Sequence, residues 1–398
     1  MKEFEILIIG AGVIGTASAR AFTKRGVSSV AILEKENGPA VHTSGRNSGV
    51  VHSGINPKPG GLKARFCVEG NRRLKEFCLE KRLPLQECGT VVVASNNDEM
   101  AVLEELLRRG NENGVPHLKI VDEAGLKLLE PQAIGKAALH APSGAIASGR
   151  EVTKALAAEA KERGVSFFFG QKVVGIETVG EKIQVTTSTE KFLCSKLLNC
   201  SGLQADQVAH LMGVGMDYRL IPFRGEYFRI RSEKAGLVRS MVYPAPDLRY
   251  PFLGVHWTKT VEGDLKIGPN AIIALGRESY SRWAVGLVDT LDMVFSPHFR
   301  NMVKSREFRA VARQQIAVSF SRRRFVEDAK KLVPGVEVSD FEPWKSGIRA
   351  QLVNKEGKMV DDIVVEKKGT TLHVLNAVSP GFTCSLPFAD HLVEQLMS

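Results

Sequence analysis

Phe4-Glu5-Ile6-Leu7-Ile8-Ile9 runs directly into Gly10-Ala11-Gly12-Val13-Ile14-Gly15 and then into Thr16-Ala17-Ser18-Ala19-Arg20-Ala21-Phe22. That order predicts a buried strand, a tight glycine turn and a helix. In such a turn Gly10 makes the bend, Gly12 lets a pyrophosphate approach the main chain, and Gly15 lets helix and strand pack closely. The helix start offers the phosphates unpaired N–H groups and the positive end of its dipole. Three glycines at this spacing are weak evidence alone. Here Gly26 ends the helix, Ser29-Val30-Ala31-Ile32-Leu33 supplies a second strand, and Glu34 follows it directly, with Lys35 beside it. An acid at that position is placed to meet a ribose diol. A dinucleotide site is therefore the reading, against a βαβ unit packed tightly without ligand.

At 398 residues the chain has room for two domains, or for one domain with a large insertion. With 43% hydrophobic and 25% charged residues it has the balance of an ordinary soluble enzyme, without low-complexity tracts or repeats. The net charge of +10 suits an anionic substrate, an anionic membrane surface or a nucleic acid. Cys67, Cys78, Cys88, Cys194, Cys200 and Cys384 are scattered without a CxxC pair, so neither a metal site nor a disulfide framework is expected. Reduced thiols fit a cytoplasmic protein. No apolar run approaches the roughly 20 residues that span a bilayer, and the N-terminus lacks the basic flank of a signal peptide. Peripheral contact with the inner face of a membrane stays open.

After Glu34, the stretch 42–54 is rich in glycine and hydroxyls. Small residues there, among them Thr43, Ser44, Asn47, Ser48 and Gly49, let the main chain lie against a flat ligand and hydrogen-bond its edge. A helix follows over 63–79, and the texture then changes to strands and helices over 89–144. A helix over 150–163 leads back to strands over 165–169, 171–178, 182–188 and 191–200, with Val173 counted among the cofactor contacts. The last of these strands runs into Ser201-Gly202 and a helix, repeating the opening pattern. Strands are expected at 224–230, 252–257 and 265–270, then helices rich in Lys and Arg between 289 and 331, including Arg322-Arg323-Arg324. Strands over 361–366 and 371–376 precede a loop at Gly381, Phe382 and Thr383 and a closing helix. The start of that helix suits the partial negative charge on the carbonyl and N1 side of a reduced flavin.

One complete fingerprint favours a single FAD over a flavin used together with NAD. The predicted fold is α/β plus α+β. A discontinuous Rossmann-like FAD-binding domain (1–85, 148–215 and 346–398) carries a substrate-binding domain (86–147 and 216–345) built on a mainly antiparallel sheet.

Several segments, in order along nearly the whole chain, carry a resemblance. They are Gly10 to Gly15 with Glu34, Ser44 to Gly54, Leu62 to Cys67, Pro222 to Tyr227, Pro251 to His256, Gly268 to Ala271 and Gly347 to Gln351. Together they resemble the L-2-hydroxyglutarate dehydrogenase/oxidase family, within the D-amino-acid-oxidase-like flavoproteins. The resemblance implies bound FAD, held non-covalently, and oxidation of L-2-hydroxyglutarate to 2-oxoglutarate. Electrons would pass to a quinone, another acceptor or oxygen. The chain departs from the family pattern at Arg46, usually His, at Asn56-Pro57, usually a tyrosine pair, and in the loop Asn376 to Thr383. A related 2-hydroxy acid is thereby left open.

Oxidising a secondary alcohol needs a hydride acceptor and a base for the hydroxyl proton. His256 is the first candidate base and His52 the second, since histidine titrates near neutrality. A dicarboxylate needs fixed cations, for which Arg224 and Arg349, each beside a glycine, are the candidates, with Lys63 and Arg65 as a basic rim. Tyr227 is a candidate to orient the substrate hydroxyl. Two other readings compete. One is an amine or amino-acid oxidase of the sarcosine- or glycine-oxidase kind, with Cys384 or His52 tethering the flavin. The other is a flavoprotein that mainly binds RNA or membrane through 298–331, nucleic acid being the less favoured partner.

Overall fold

The computed structural model describes residues 1–248 and 254–398. The opening strand, Lys2–Ile9, buries Ile6, Leu7, Ile8 and Ile9 in succession because it lies inside a sheet covered on both faces. It pairs in parallel with Val30–Leu33 on one side and Lys191–Asn199 on the other. Ser166–Phe168 extends the first edge, and Thr371–Asn376 joins Lys191–Asn199 in parallel. Antiparallel strands Val173–Val179, Lys182–Thr187 and Val364–Lys368 complete this sheet. Helices Val13–Lys24, Leu62–Glu80, Gly149–Glu162 and Gly381–Met397 contribute to the core on one face, with Phe22, Phe66, Leu74, Phe77 and Phe388 in the contact.

A second eight-stranded sheet is mixed rather than wholly antiparallel, since Met241–Pro244 runs parallel to Thr90–Ala94. Its other neighbours, including His256–Lys259 with Leu265–Gly268, pair antiparallel. Trp257, Phe325 and Phe341 fill the core behind it. In a smaller, three-stranded sheet Tyr218–Gly225 pairs with Gly347–Asn354 and Ile272–Ile273.

The structure corrects two expected strands. The run 224–230 is two strands in two sheets, because the chain crosses over at Glu226, whose N–H donates to Asn270 Oδ1 (2.8 Å). The strand expected from Asp361 begins at Val364. Asp362 is used otherwise: its carboxylate accepts the N–H groups of Leu62 and Lys63 at 2.9 Å each, capping the helix Leu62–Glu80 across the molecule. The first residues of the strand expected over 252–257 lie outside the described residues.

Asp206, on the short helix Ala205–His210, ties the layers together. Its buried carboxylate accepts from Arg277 Nη1 (2.6 Å), Arg277 Nη2 (2.9 Å) and the Leu220 N–H (2.9 Å). Burial opposes its charge, but Arg277 and the backbone donor outweigh that and hold its pKa below the usual carboxylate range. Removing the cation strands a buried carboxylate. Arg277→Ala is therefore expected to cost about 3–5 kcal/mol in urea unfolding of the holoprotein, whereas replacing both partners with apolar residues should cost less.

Candidate active site

Gly10 has φ +103°, and a β-carbon there would sit 2.6 Å from the Cys200 carbonyl oxygen. At Gly15 it would lie 2.0 Å from the Gly10 carbonyl oxygen, so strand and helix approach as only glycine allows. The helix Val13–Lys24 has no cap from its own N-cap residue; the Val13 N–H instead donates to Ser44 Oγ (2.9 Å). Glu34 accepts from the Ala11 N–H (2.7 Å) and the Glu36 N–H (2.9 Å), one bond to each oxygen, which fixes the carboxylate beside the turn. Thr43 and Ser44 lie on a short helix, Thr43–Arg46. Asn47 closes the segment, donating to the Ser44 carbonyl (3.0 Å) and accepting from the Gly49 N–H (2.9 Å).

These groups open onto a cavity of about 590 Å³ that runs from Glu34, Lys35 and Val173 to His256 and Arg349. Gly10, Gly12, Thr43, Ser44, Asn47, Ser48, Gly202, Gly381 and Phe382 line it. The helix Gly381–Met397 also starts at its wall without a side-chain cap. Two helix starts without a cap from their own N-cap residues, an acid held at the end of the second strand and glycines too crowded for β-carbons suit a dinucleotide with one flat ring system. Gly15, Gly49 and Thr383 are not among the lining residues; the Thr383 hydroxyl accepts the His52 N–H (3.0 Å) and faces the Val50 carbonyl (3.4 Å).

At the Glu34 end, Lys35 Nζ pairs with Glu36 and with Glu278 (2.8 Å) and touches His42 Nε2 (2.8 Å). Burial disfavours its charge, but the two carboxylates prevail and raise its pKa. His42 Nδ1 meets Tyr280 Oη at 2.7 Å, and the Arg46 guanidinium lies 4.0 Å over the Tyr280 ring. Sequence reasoning missed Glu278 and Tyr280, which carry no local motif and are distant in the chain from Lys35 and His42.

At the other end His256 is buried, its ring stacked on Tyr243 with centroids 4.1 Å apart. His256 Nδ1 lies 2.9 Å from the Gly254 carbonyl, which can only accept, so Nδ1 carries the proton and Nε2 keeps a lone pair. Burial pushes its pKa down to about 3, and His52, Lys266 and Arg349 add to the effect. His52 meets Ser379 Oγ at 3.3 Å, and burial with Arg349 and Lys63 nearby lowers its pKa to about 4. Arg349 and Tyr227 share this wall, and burial depresses the arginine and raises the tyrosine to about 12. A second cavity of about 290 Å³ continues past His52, Tyr243 and Arg349 to Lys63, Asn56 and Pro57. Lys63 Nζ stands 3.5 Å from Asp361, and burial lowers its pKa.

Other candidates go elsewhere. Arg224 is buried outside both cavities, donating to the Ser281 carbonyl (2.9 Å) and to Glu226 (3.4 Å). Arg65 is exposed beside Phe66. Cys384 is buried away from the cavity lining, and its hydrogen bond with Cys67 and its burial keep the thiol protonated. A residue the sequence did not single out, Lys266, is buried with Nζ 3.1 Å from the Ser48 carbonyl, and burial lowers its pKa to about 8. Its place in Leu265-Lys266-Ile267 reads as the solvent side of a strand, which hides it.

Residues 5–395 match the model of the FAD dependent oxidoreductase family (DAO), and the chain belongs to that family. It is a flavoenzyme, an oxidoreductase with FAD as its cofactor, taking a small substrate and an electron acceptor. The relatives are more particular. The chain is 36% identical over 394 residues to L-2-hydroxyglutarate dehydrogenase of Indibacter alkaliphilus, covering 98% of each chain. It is 34% identical over 413 residues to the human mitochondrial L-2-hydroxyglutarate dehydrogenase, covering 99% of this chain and 89% of that one. In fold it is similar to FAD-bound L-alpha-glycerophosphate oxidase of Mycoplasma pneumoniae, with TM-score 0.80 at 23% identity, over 100% of this chain and 96% of that one.

The depressed histidine has a consequence for stability. His256 binds a proton more readily when unfolded, at its ordinary value of 6.5, than when folded, at about 3. Its contribution is thus present above pH 6.5 and lost as pH falls through that window. The unfolding free energy should drop by about 2 kcal/mol between pH 7 and pH 5 on its account. His256→Asn should flatten that part of the profile in urea titrations.

Proposed function

We propose that the enzyme oxidises L-2-hydroxyglutarate to 2-oxoglutarate. The observation that carries this reading is the convergence of His256, Arg349, His52 and Tyr227 on one end of the cofactor cavity, in a chain whose relatives bear that activity in their names. When bound, FAD supplies the acceptor for the hydride that leaves the substrate carbon. Gly10, Gly12, Ser44 and the start of the helix Val13–Lys24 would hold its pyrophosphate, Glu34 its ribose, and the start of the helix Gly381–Met397 its ring carbonyl edge. Residues 1–85, 148–215 and 346–398 hold the cofactor on this reading, and 86–147 and 216–345 close over the substrate.

Arg349 grips one substrate carboxylate, and Lys63, in the adjoining cavity, attracts the other. His256 Nε2 takes the hydroxyl proton. Its low pKa keeps it unprotonated, and the arriving carboxylates raise its basicity as they bind. Tyr227 and His52 orient the hydroxyl. Asn56 and Pro57, which replace the usual tyrosine pair, line the cavity on the Lys63 side and set how long a 2-hydroxy acid fits. The flavin is held non-covalently, and electrons leave to a quinone, a dye-like acceptor or oxygen.

Anaerobic addition of L-2-hydroxyglutarate should bleach the flavin band, while sarcosine and glycine should not. A protein unbleached by any of a panel of 2-hydroxy acids would refute the proposal. His256→Asn should keep the flavin spectrum and slow reduction by about a hundred- to ten-thousand-fold. Arg349→Met should weaken substrate binding, read by spectral titration, by roughly ten- to a hundredfold.

A further inference from the structure

The segment Gly54-Ile55-Asn56-Pro57 lines the second cavity. With no aromatic side chain at 56 or 57, this wall is made of main chain and small groups, and its position has to be set by what packs on it. Gly54 has φ +110°, and a β-carbon there would meet Val68 Cγ2 at 2.7 Å and Val115 Cγ2 at 3.1 Å, so the segment starts pressed against its neighbours. Ile55 is buried in one core cluster with Leu103, Leu106 and Val115. Leu103 and Leu106 belong to the helix Asp98–Glu112. At Gly110 of that helix a β-carbon would lie 2.3 Å from Leu118 Cδ1 and 3.2 Å from Ile55 Cγ2, so the helix backbone lies against the segment.

Two side chains at the end of this helix take up the segment's carbonyls. Asn113, the C-cap residue, donates through its amide to the Gly54 carbonyl (2.9 Å) and to the Pro57 carbonyl (2.9 Å). Arg109, one turn earlier, donates from Nη1 to the Asn56 carbonyl (3.3 Å). Positions four apart share a helix face, so both side chains reach the same segment. Arg109 is itself fixed: its Nε donates to Glu105, a further turn back (2.7 Å). Arg109 also lines the second cavity, whereas Asn113 lines neither.

A carboxylate at this end of the cavity meets Lys63 and a wall whose carbonyls already have donors. Asp362, on the same cavity, is engaged as well, accepting the N–H groups of Leu62, Lys63 and Ile363. A carbonyl oxygen without a donor would repel a carboxylate, and a wall without an anchor would not hold one depth. We propose that Asn113 and Arg109 are positioning residues for ligand length: by holding Gly54 to Pro57 they fix the depth of the second cavity, and so how long a dicarboxylate fits with its first carboxylate at Arg349. The inference rests on the reading that the substrate is a 2-hydroxy dicarboxylate. Asn113 acts only through the segment it holds, so its effect depends on whether a ligand is long enough to reach that segment. A role in stability alone would act on ligands of every length alike.

The test is titration of the FAD-loaded full chain with the unreactive dicarboxylates oxalate, malonate, succinate, glutarate and adipate, read from the perturbation of the oxidised flavin spectrum. The wild-type chain should bind glutarate tightest. Asn113→Ala should weaken glutarate and adipate about tenfold and leave oxalate and malonate unchanged. Arg109→Gln should move the length preference in the same direction, and it decides the matter if Asn113→Ala does not fold. These acids have no hydroxyl to oxidise, so the result is separate from bleaching by L-2-hydroxyglutarate: bleaching can fail while the length preference and its loss both stand. The proposal falls if the wild-type chain binds all lengths alike. It falls equally if the two variants keep the wild-type preference, whether by binding every acid unchanged or by weakening all of them to the same degree.

Discussion

A β-carbon at Gly15 would stand 2.0 Å from the carbonyl oxygen of Gly10, and one at Gly10 would stand 2.6 Å from that of Cys200. That crowding is the constraint on which the site depends. It brings the ends of the strands Lys2–Ile9 and Lys191–Asn199 and the start of the helix Val13–Lys24 to one place at the cavity wall. Glu34 can reach the Ala11 N–H only because the turn is that tight. The Ser44 segment then closes on the helix start, and the loops that complete the cavity have a fixed edge to pack against.

The far end of the cavity is organised by charge taken out of water. Arg349, Lys63, Lys266, His52 and His256 are all shifted toward their neutral forms, burial being the largest cause each time and neighbouring cations deepening several of the shifts. Asp361 and Asp362 favour the charge of Lys63 and are outweighed by its burial, so the loss of water decides the direction of these shifts.

What the sequence disclosed was local. The glycines, Glu34 and the hydroxyl-rich stretch near Ser44 sit within one βαβ unit, and their spacing alone specifies their roles. Arg224 and Arg349 show where that legibility stops. Both follow the same reading, an arginine beside a glycine, yet the strands that carry them pair with Phe223 opposite Arg349 and Arg224 opposite Ile348. Phe223 and Arg349 both line the cavity, while Arg224 donates to Glu226 and the Ser281 carbonyl and lines neither cavity. One residue of register separates the two fates, and register is set by tertiary pairing. Lys63 and Arg65 part in the same way, two positions apart on a helix and so on nearly opposite sides of it. Glu278 and Tyr280 were invisible for a related reason: their partners, Lys35 and His42, lie more than two hundred residues earlier in the chain.

The formal charge of +10 therefore resolves into cations with three different surroundings. Arg277 and Arg224 are buried against Asp206 and Glu226, where they hold layers together and present nothing to a ligand. Arg349 and Lys63 are desolvated at cavity walls. The arginines between 300 and 324 stand in water beside exposed apolar side chains. A net charge read from composition cannot separate these cases, because each is defined by how much water the cation has lost and by what lies beside it.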